Sequence, residues 1–205
     1  MKVLHMTLII VCLFGIPASV VAQSHVTLEH VTRNLSGRVI EIPGSRSPNG
    51  KLSIFSVNLD GTTGAVAAIV TTDLNRCLAV SSAHPYGSNI RDRKPKSYLT
   101  VLWSNDSRYV AIHDSILKHS RLEVFVCDES GGRQIDLPDL LEVMIAKGII
   151  PPEPASSGQE PIEWIDDKHL LVEVRAKTKL GEVVSGQVTL EMEQSATVVE
   201  TSPKE

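Results

Sequence analysis

Short stretches in which apolar and polar residues alternate recur along most of the chain, and they predict a protein built mainly of β-strands. Valine, isoleucine, tyrosine and phenylalanine are concentrated in these stretches, and glycine, proline, asparagine and aspartate separate them, as turns require. The connections are short enough for hairpins, so the predicted sheet is antiparallel. The predicted strands cover residues 25–29, 38–42, 51–58, 65–72, 77–82, 98–103, 108–113, 121–127, 134–137, 170–176 and 182–191.

The remaining segments carry other patterns. Residues 138–147 have leucine, methionine and isoleucine at helical spacing behind Pro138, a residue that the first turn of a helix tolerates, so one short helix is predicted there. The polar stretch 81–96 predicts a long loop, and such loops are either functional or loosely ordered. The Pro-, Ser- and Glu-rich stretch 151–161 predicts a linker or loop, and the polar tail 194–205 is predicted to be disordered.

The first 22 residues have the pattern of a signal peptide. Lys2 gives a positive start, the segment 7–15 is an apolar core of suitable length, and small residues precede a cleavage point after Ala22. The prediction is therefore a secreted or periplasmic protein with a single β-rich domain over residues 23–193. Two alternatives stay open, namely that residues 3–22 remain as a membrane anchor or that Cys12 is lipidated.

The distribution of charged residues limits the partners that can be expected. The chain has a formal net charge of −4 and no basic cluster, since Asp92 interrupts the only run that approaches one, at residues 91–96. Phosphate binding relies on clustered lysine and arginine, so nucleic acid is not an expected partner. After signal cleavage, no further apolar segment is long enough to span a bilayer.

Two cysteines lie beyond the signal segment, Cys77 and Cys127, each in an apolar strand-like run. In an oxidising compartment they could form a disulfide, which would close a loop of about 50 residues and contribute a few kcal/mol. They could equally be two buried free thiols, and the sequence leaves both alternatives open. Neither has a second ligand at zinc-finger spacing.

No catalytic, cofactor-binding or metal-ligating residue is predicted. Ser81, Ser82 and His84 place hydroxyls near an imidazole, but the turn motif that exposes a nucleophilic serine is missing. The histidine pairs near residues 25–30 and 113–119 do not match zinc spacings. Residues 58–61 start like a calcium loop whose closing acid is replaced by Ala67. Adjacent acids at 166–167 are interpreted as turn caps.

One segment resembles a known repeat. Residues 102–132 hold an aromatic residue, a serine, an aspartate, a small residue and a base before an alternating strand, followed by a second strand and an Asp-x-x-Gly turn. This resembles a blade of the TolB-like β-propeller repeat, with Asn105 in place of the usual proline and Ser107 in place of the usual glycine. Weaker echoes begin at Ser47 and Trp164, at spacings longer than the roughly 40 to 50 residues usual for a blade.

The resemblance implies structural roles for four residues. Asp106 and Asp166 would cap tight turns, and Trp103 and Trp164 would pack beneath them. Three units are too few for an ordinary ring, which needs about four to eight blades. The expected fold is thus an open, curled antiparallel sheet of propeller-like hairpins, or a half-ring that pairs with a second copy.

The function predicted from these observations is a non-catalytic exported protein that binds a protein or glycan partner or serves as a scaffold. The alternatives are an exported hydrolase whose site lies in the loop 81–96, and an inhibitor-like partner protein.

Overall fold

The computed structural model describes residues 27–37, 39–59, 65–83, 85, 99–115 and 121–204. These residues form three four-stranded antiparallel sheets and two short helices. In every sheet, the order of the strands in space follows their order in the chain. The mainly β, antiparallel prediction is confirmed.

The element bounds follow the chain order. Helix α1 (Leu28–Arg33) precedes the first sheet, and helix α2 (Leu140–Ala146) lies between the second sheet and the third. The first sheet contains β1 (Val39–Glu41), β2 (Leu52–Asn58), β3 (Ala65–Thr71) and β4 (Cys77–Ser81). The second contains β5 (Leu99–Trp103), β6 (Tyr109–Asp114), β7 (Arg121–Asp128) and β8 (Gly131–Ile135). The third contains β9 (Ser156–Trp164), β10 (His169–Lys177), β11 (Val183–Met192) and β12 (Ala196–Pro203).

Three sequence-based expectations are wrong. The strand expected at 25–29 is replaced, within the described residues, by α1, which Thr27 caps by accepting a hydrogen bond from the His30 backbone at 3.2 Å. The stretch 151–161, expected to be a loop, contributes most of edge strand β9, where Pro161 sits beside a register shift. The tail 194–205, expected to be disordered, forms edge strand β12 instead.

The sheets pack in a layered series. One apolar cluster joins the first sheet to the second through residues such as Ile54, Ile69 and Phe125, and another joins the second to the third through residues such as Val124 and Val172. Because alternate residues of a strand point to opposite faces, each sheet also presents a second face. Helix α1 covers that face of the first sheet through a cluster of its own.

Helix α2 packs closely on the third sheet. It begins after Asp139, whose side chain accepts from the Glu142 backbone at 3.1 Å, so Pro138 lies just outside the helix that the sequence placed at 138–147. Gly186 of β11 makes room for it: a Cβ there would lie 2.2 Å from Met144 Cε and 2.8 Å from Ile149 Cγ2. A Cβ there would also lie 2.8 Å from the Ser202 backbone oxygen of β12, so glycine at this position allows the close approach of Met144, Ile149 and β12.

The outward face of the third sheet is polar. Glu173 lies opposite Glu160 and Gln187 in the register, and Arg175 lies opposite Ser185. An ionic face of this kind is stable in water. Among the described residues, no helix has the length and apolar character needed to cross a membrane.

Candidate functional site

Two turns of the first and second sheets have the same hydrogen bonds. Ser104 Oγ accepts from the Tyr109 backbone at 2.9 Å and donates to Asp106, whose Oδ1 accepts from the Arg108 backbone at 2.9 Å. In the first sheet, Ser47, Asn49, Lys51 and Leu52 repeat this pattern at 2.9 to 3.0 Å. A short polar side chain that binds its own backbone is what makes these turns tight.

The third sheet has a related turn. Asp166 Oδ1 accepts from the backbones of Lys168 and His169 at 2.8 and 2.9 Å, and Oδ2 lies 2.7 Å from His169 Nδ1. The hydrogen bonds from Lys168 and His169 lower the pKa of Asp166 to about 2. Both aspartates thus lie in the turns where the resemblance would place them.

The two tryptophans each join one sheet to the sheet before it. Trp103 ends β5 and donates from Nε1 to the Ser45 carbonyl at 2.7 Å, whereas Trp164 ends β9 and donates to the Leu102 carbonyl at 3.0 Å. Ser45 and Leu102 hold equivalent places just ahead of their turns. The Trp164 ring also stacks on Tyr109, with centroids 5.8 Å apart.

A second contact repeats at both junctions. The Asn49 backbone donates to Ser107 Oγ at 3.0 Å, and the Asp106 backbone donates to Asp167 Oδ1 at 3.2 Å. Ser107 has a φ of 63°, in the left-handed region that Gly50 occupies at the matching place in the first turn. The junction between the first two sheets and the junction between the last two therefore share a geometry, with an indole and a turn side chain in corresponding positions.

A buried carboxylate forms a further link between the first and second sheets. Glu123 of β7 is 2% exposed and accepts from Ser81 Oγ at 2.6 Å, from the Ser82 backbone at 3.1 Å and from the Ser82 hydroxyl. Arg121 Nε lies 3.3 Å from the same carboxylate. These donors satisfy a charge that would otherwise be costly to bury. In this arrangement the hydroxyls of Ser81 and Ser82 serve as donors to a carboxylate, and His84 lies outside the described residues.

The polar face of the third sheet centres on Glu173, which is itself 4% exposed. Its carboxylate accepts from Arg175 Nη2 at 2.7 Å and from Lys204 Nζ at 3.1 Å. The hydrogen bond from Arg175, helped by the one from Lys204, lowers the pKa of Glu173 from 4.5 to about 2. Lys204, the residue after β12, thereby forms an ion pair with β10.

This lowered pKa predicts a defined acid sensitivity. Since the pKa of Glu173 is lower in the folded state, its ion pairs stabilise the fold above about pH 4.5, and this contribution is lost as the pH falls towards 2. We expect Glu173→Gln to lower the free energy of unfolding at pH 7 by about 1 to 2 kcal/mol, allowing for the exposure of both partners. Urea titrations across this range should show the gap between variant and wild type closing below pH 4.5. A gap that is unchanged at pH 2.5 would contradict the assignment.

Cys77 and Cys127 are free thiols in the structure, which matches the second of the two alternatives that the sequence leaves open. They belong to different apolar clusters, Cys77 with the side covered by α1 and Cys127 with the interface of the first two sheets. Burial raises the pKa of Cys77 to about 11 and that of Cys127 to about 12. Such thiols are protonated at neutral pH and react slowly.

An open cleft of about 580 Å³ lies at the end of the molecule that carries the turn between β5 and β6 and the turn between β9 and β10. Arg108 and Lys168 reach it from the turns of the second and third sheets, and Arg133 reaches it from β8. Its apolar lining includes Leu78, Tyr109, Val126 and Met192, and its acids are Asp128 and Glu193.

The other residues considered from the sequence are not brought into one site. His113 is buried near Asp114 and Glu160, and burial lowers the pKa of its imidazole. Across the described ranges, no group of three or more His, Cys, Asp or Glu is placed to hold a metal ion. Residues 25, 60, 61 and 119 lie outside those ranges.

Sequence reasoning missed the two buried glutamates and the cleft. Glu123 and Glu173 each interrupt an apolar strand, at L-E-V-F and L-V-E-V, and an acid in such a run could have been flagged as one that requires partners. One partner of each lies two residues away on the same strand, Arg121 for Glu123 and Arg175 for Glu173. The remaining partners, Ser81, Ser82 and Lys204, lie far along the chain, and no local pattern identifies them. Comparison of the chain with protein-family models, with curated proteins and with solved structures finds no match.

Proposed function

We propose that this chain is a non-catalytic exported binding or scaffold protein whose three sheets are propeller-like blades arranged in an open series. The observation that carries the proposal is the repeated junction, in which Trp103 and Trp164 occupy corresponding places. A repeated junction is typical of repeat architectures, where each unit contacts only its neighbours. Such proteins present extended surfaces to partners.

The two ends of the series favour an open arrangement over a ring. Helix α1 and the turn after it cover one end through Val31 and Leu35, and the other end is the ionic face around Glu173. Terminal units with a covered or polar outer face end a stack in soluble repeat proteins. A half-ring that pairs with a second copy would instead require an apolar outer face.

Export follows from the signal-like segment 1–22, which lies outside the described residues. When the full chain is expressed in a host with a secretory pathway, the recovered protein should begin at Gln23. Intact mass measurement of the periplasmic or secreted fraction tests this. A mass that includes residues 1–22 in the membrane fraction would support the anchor alternative.

The binding function is tested by affinity capture. Immobilised protein covering residues 23–205 is exposed to a secreted or periplasmic extract of the native host, and Trp103→Ala provides a control with a damaged junction. One partner retained in stoichiometric amount by the wild type, and reduced with the variant, supports the proposal. A folded protein that retains nothing would overturn it. Turnover of a hydrolase substrate that is lost in His84→Ala would favour the enzyme alternative.

A further inference from the structure

We propose that the cleft at the turn end, lined by Arg108, Arg133 and Lys168, binds a short acidic peptide segment. This inference rests on the binding function proposed above and assigns it a site and a ligand chemistry. A volume of about 580 Å³ falls in the range of about 300 to 1,000 Å³ typical of ligand pockets. It suits a segment of a few residues.

The charge of the cleft is the first argument. Of the ten other arginines and lysines in the described residues, six lie within 4 Å of a carboxylate, for example Arg46 beside Glu41 and Lys179 beside Glu153, and Lys51, Arg76, Lys147 and Lys177 do not. The three cations of the cleft have no such partner among the described residues. Arg133 instead donates to the Gln194 carbonyl at 3.1 Å, and Arg108 lies over the Tyr109 ring at 5.5 Å from its centre.

The acids in the cleft offset only part of this charge, although Asp128 stays ionised because hydrogen bonds from Ser130 and Gly131, together with the nearby Arg108, lower its pKa. Asp128 is occupied by its own turn, where Oδ1 accepts from the Ser130 and Gly131 backbones at 2.7 and 3.1 Å. Glu193 is the other carboxylate in the lining. With three cations against two acids, the lining keeps an excess of positive charge and favours a ligand that brings carboxylates.

The residues that line the cleft also favour a peptide over a sugar as the ligand. Leu78, Val126 and Met192 offer aliphatic surface. Tyr109 is 3% exposed and stacked on Trp164, so it offers little open ring face. Sugar recognition ordinarily uses an exposed aromatic face, whereas a lining that combines aliphatic side chains with cations suits alternating apolar and acidic side chains.

The test uses fluorescence anisotropy with labelled tetrapeptides of alternating glutamate and leucine, and of alternating glutamine and leucine. The full mature protein should bind the acidic peptide at least about tenfold more tightly than the neutral one. The cleft variant Arg108→Gln/Arg133→Gln/Lys168→Gln should lose at least about tenfold in affinity. A matched control, Lys51→Gln/Lys147→Gln/Lys177→Gln, removes the same charge from cations outside the cleft and should change affinity by less than about twofold. Circular dichroism and the melting temperature establish that both variants are folded.

Three outcomes would overturn the inference: equal loss in the cleft variant and the control, equal affinity for the acidic and neutral peptides, or binding of oligogalacturonate without binding of the acidic peptide. The two proposals are separated by repeating the affinity capture with the cleft variant. A partner still captured in full would leave the binding function standing and remove the cleft as its site. The absence of any captured partner would count against the binding function itself.

Discussion

Ending the chain at Glu193 should lower the free energy of unfolding by at least about 4 kcal/mol. The truncation removes β12, which pairs with β11 from Gly186 to Met192 and places Ala196 and Val198 on the main apolar cluster. It also removes Lys204 from Glu173. Since a domain of this size has a total stability of about 5 to 15 kcal/mol, the shortened protein should be close to unfolding at 37 °C. Urea titration followed by circular dichroism measures the loss.

Two point variants test whether the loss of stability comes from the packing of β12 or from a nonspecific effect of removing the tail. Val198→Asp places a charge against the apolar cluster and should reproduce much of the loss, whereas Val199→Thr changes a side chain that is 51% exposed and should cost less than about 0.5 kcal/mol. Full stability after truncation would mean that β12 does not form and that the tail is disordered, as its polar composition suggests.

Trp164→Ala should lower the free energy of unfolding by about 3 to 5 kcal/mol. The substitution removes the indole that stacks on Tyr109 and the donor to the Leu102 carbonyl, and it leaves a cavity between the second and third sheets. Trp103→Ala should have a comparable effect at the other junction, at about 3 kcal/mol, because its indole donates to the Ser45 carbonyl. Thermal and urea unfolding of both variants measure these losses.

A conservative pair of variants separates the packing from the hydrogen bond. Trp164→Phe and Trp103→Phe keep an aromatic ring and remove only the Nε1 donor and part of the area, so each should cost about 1 to 2 kcal/mol. Losses below about 1 kcal/mol for both alanine variants would show that these residues do not hold the sheets together. The repeated junction, and with it the propeller-like interpretation, would then be untenable.

The turn chemistry was accessible from the sequence because it is local. Asp106 and Asp166 bind backbone groups two or three residues away, and the positions of Ser104 and Ser47 follow from short motifs. The strands with clear alternation, such as β2, β6 and β7, were predicted nearly to their ends for the same reason. A side chain that binds the backbone of its own turn forms a short sequence motif with the neighbouring residues, and such a motif can be recognised without the structure.

Strands β9 and β12 were not predicted from local sequence patterns. Strand β9 is polar and contains Pro161, so it has weak strand propensity of its own and depends on pairing with β10. Strand β12 carries the β-branched run 197–199, a strand signal that was outweighed by the polar residues and Pro203 around it, and it pairs with β11. The same applies to α1, whose six residues are too few to form a stable helix without the first sheet beneath them.

By itself, the sequence determined the mainly β class, the antiparallel hairpins and the capped turns, since each depends on residues that are close along the chain. Tertiary structure alone decided the division into three sheets and the pairing of Glu123 with Ser81 and of Glu173 with Lys204. It also decided the joining of Trp103 to Ser45 and of Trp164 to Leu102. It also decided the cleft, whose cations come from two different sheets. The physical reason is that burial and long-range hydrogen bonds depend on which surfaces meet, and no local pattern of residues specifies that.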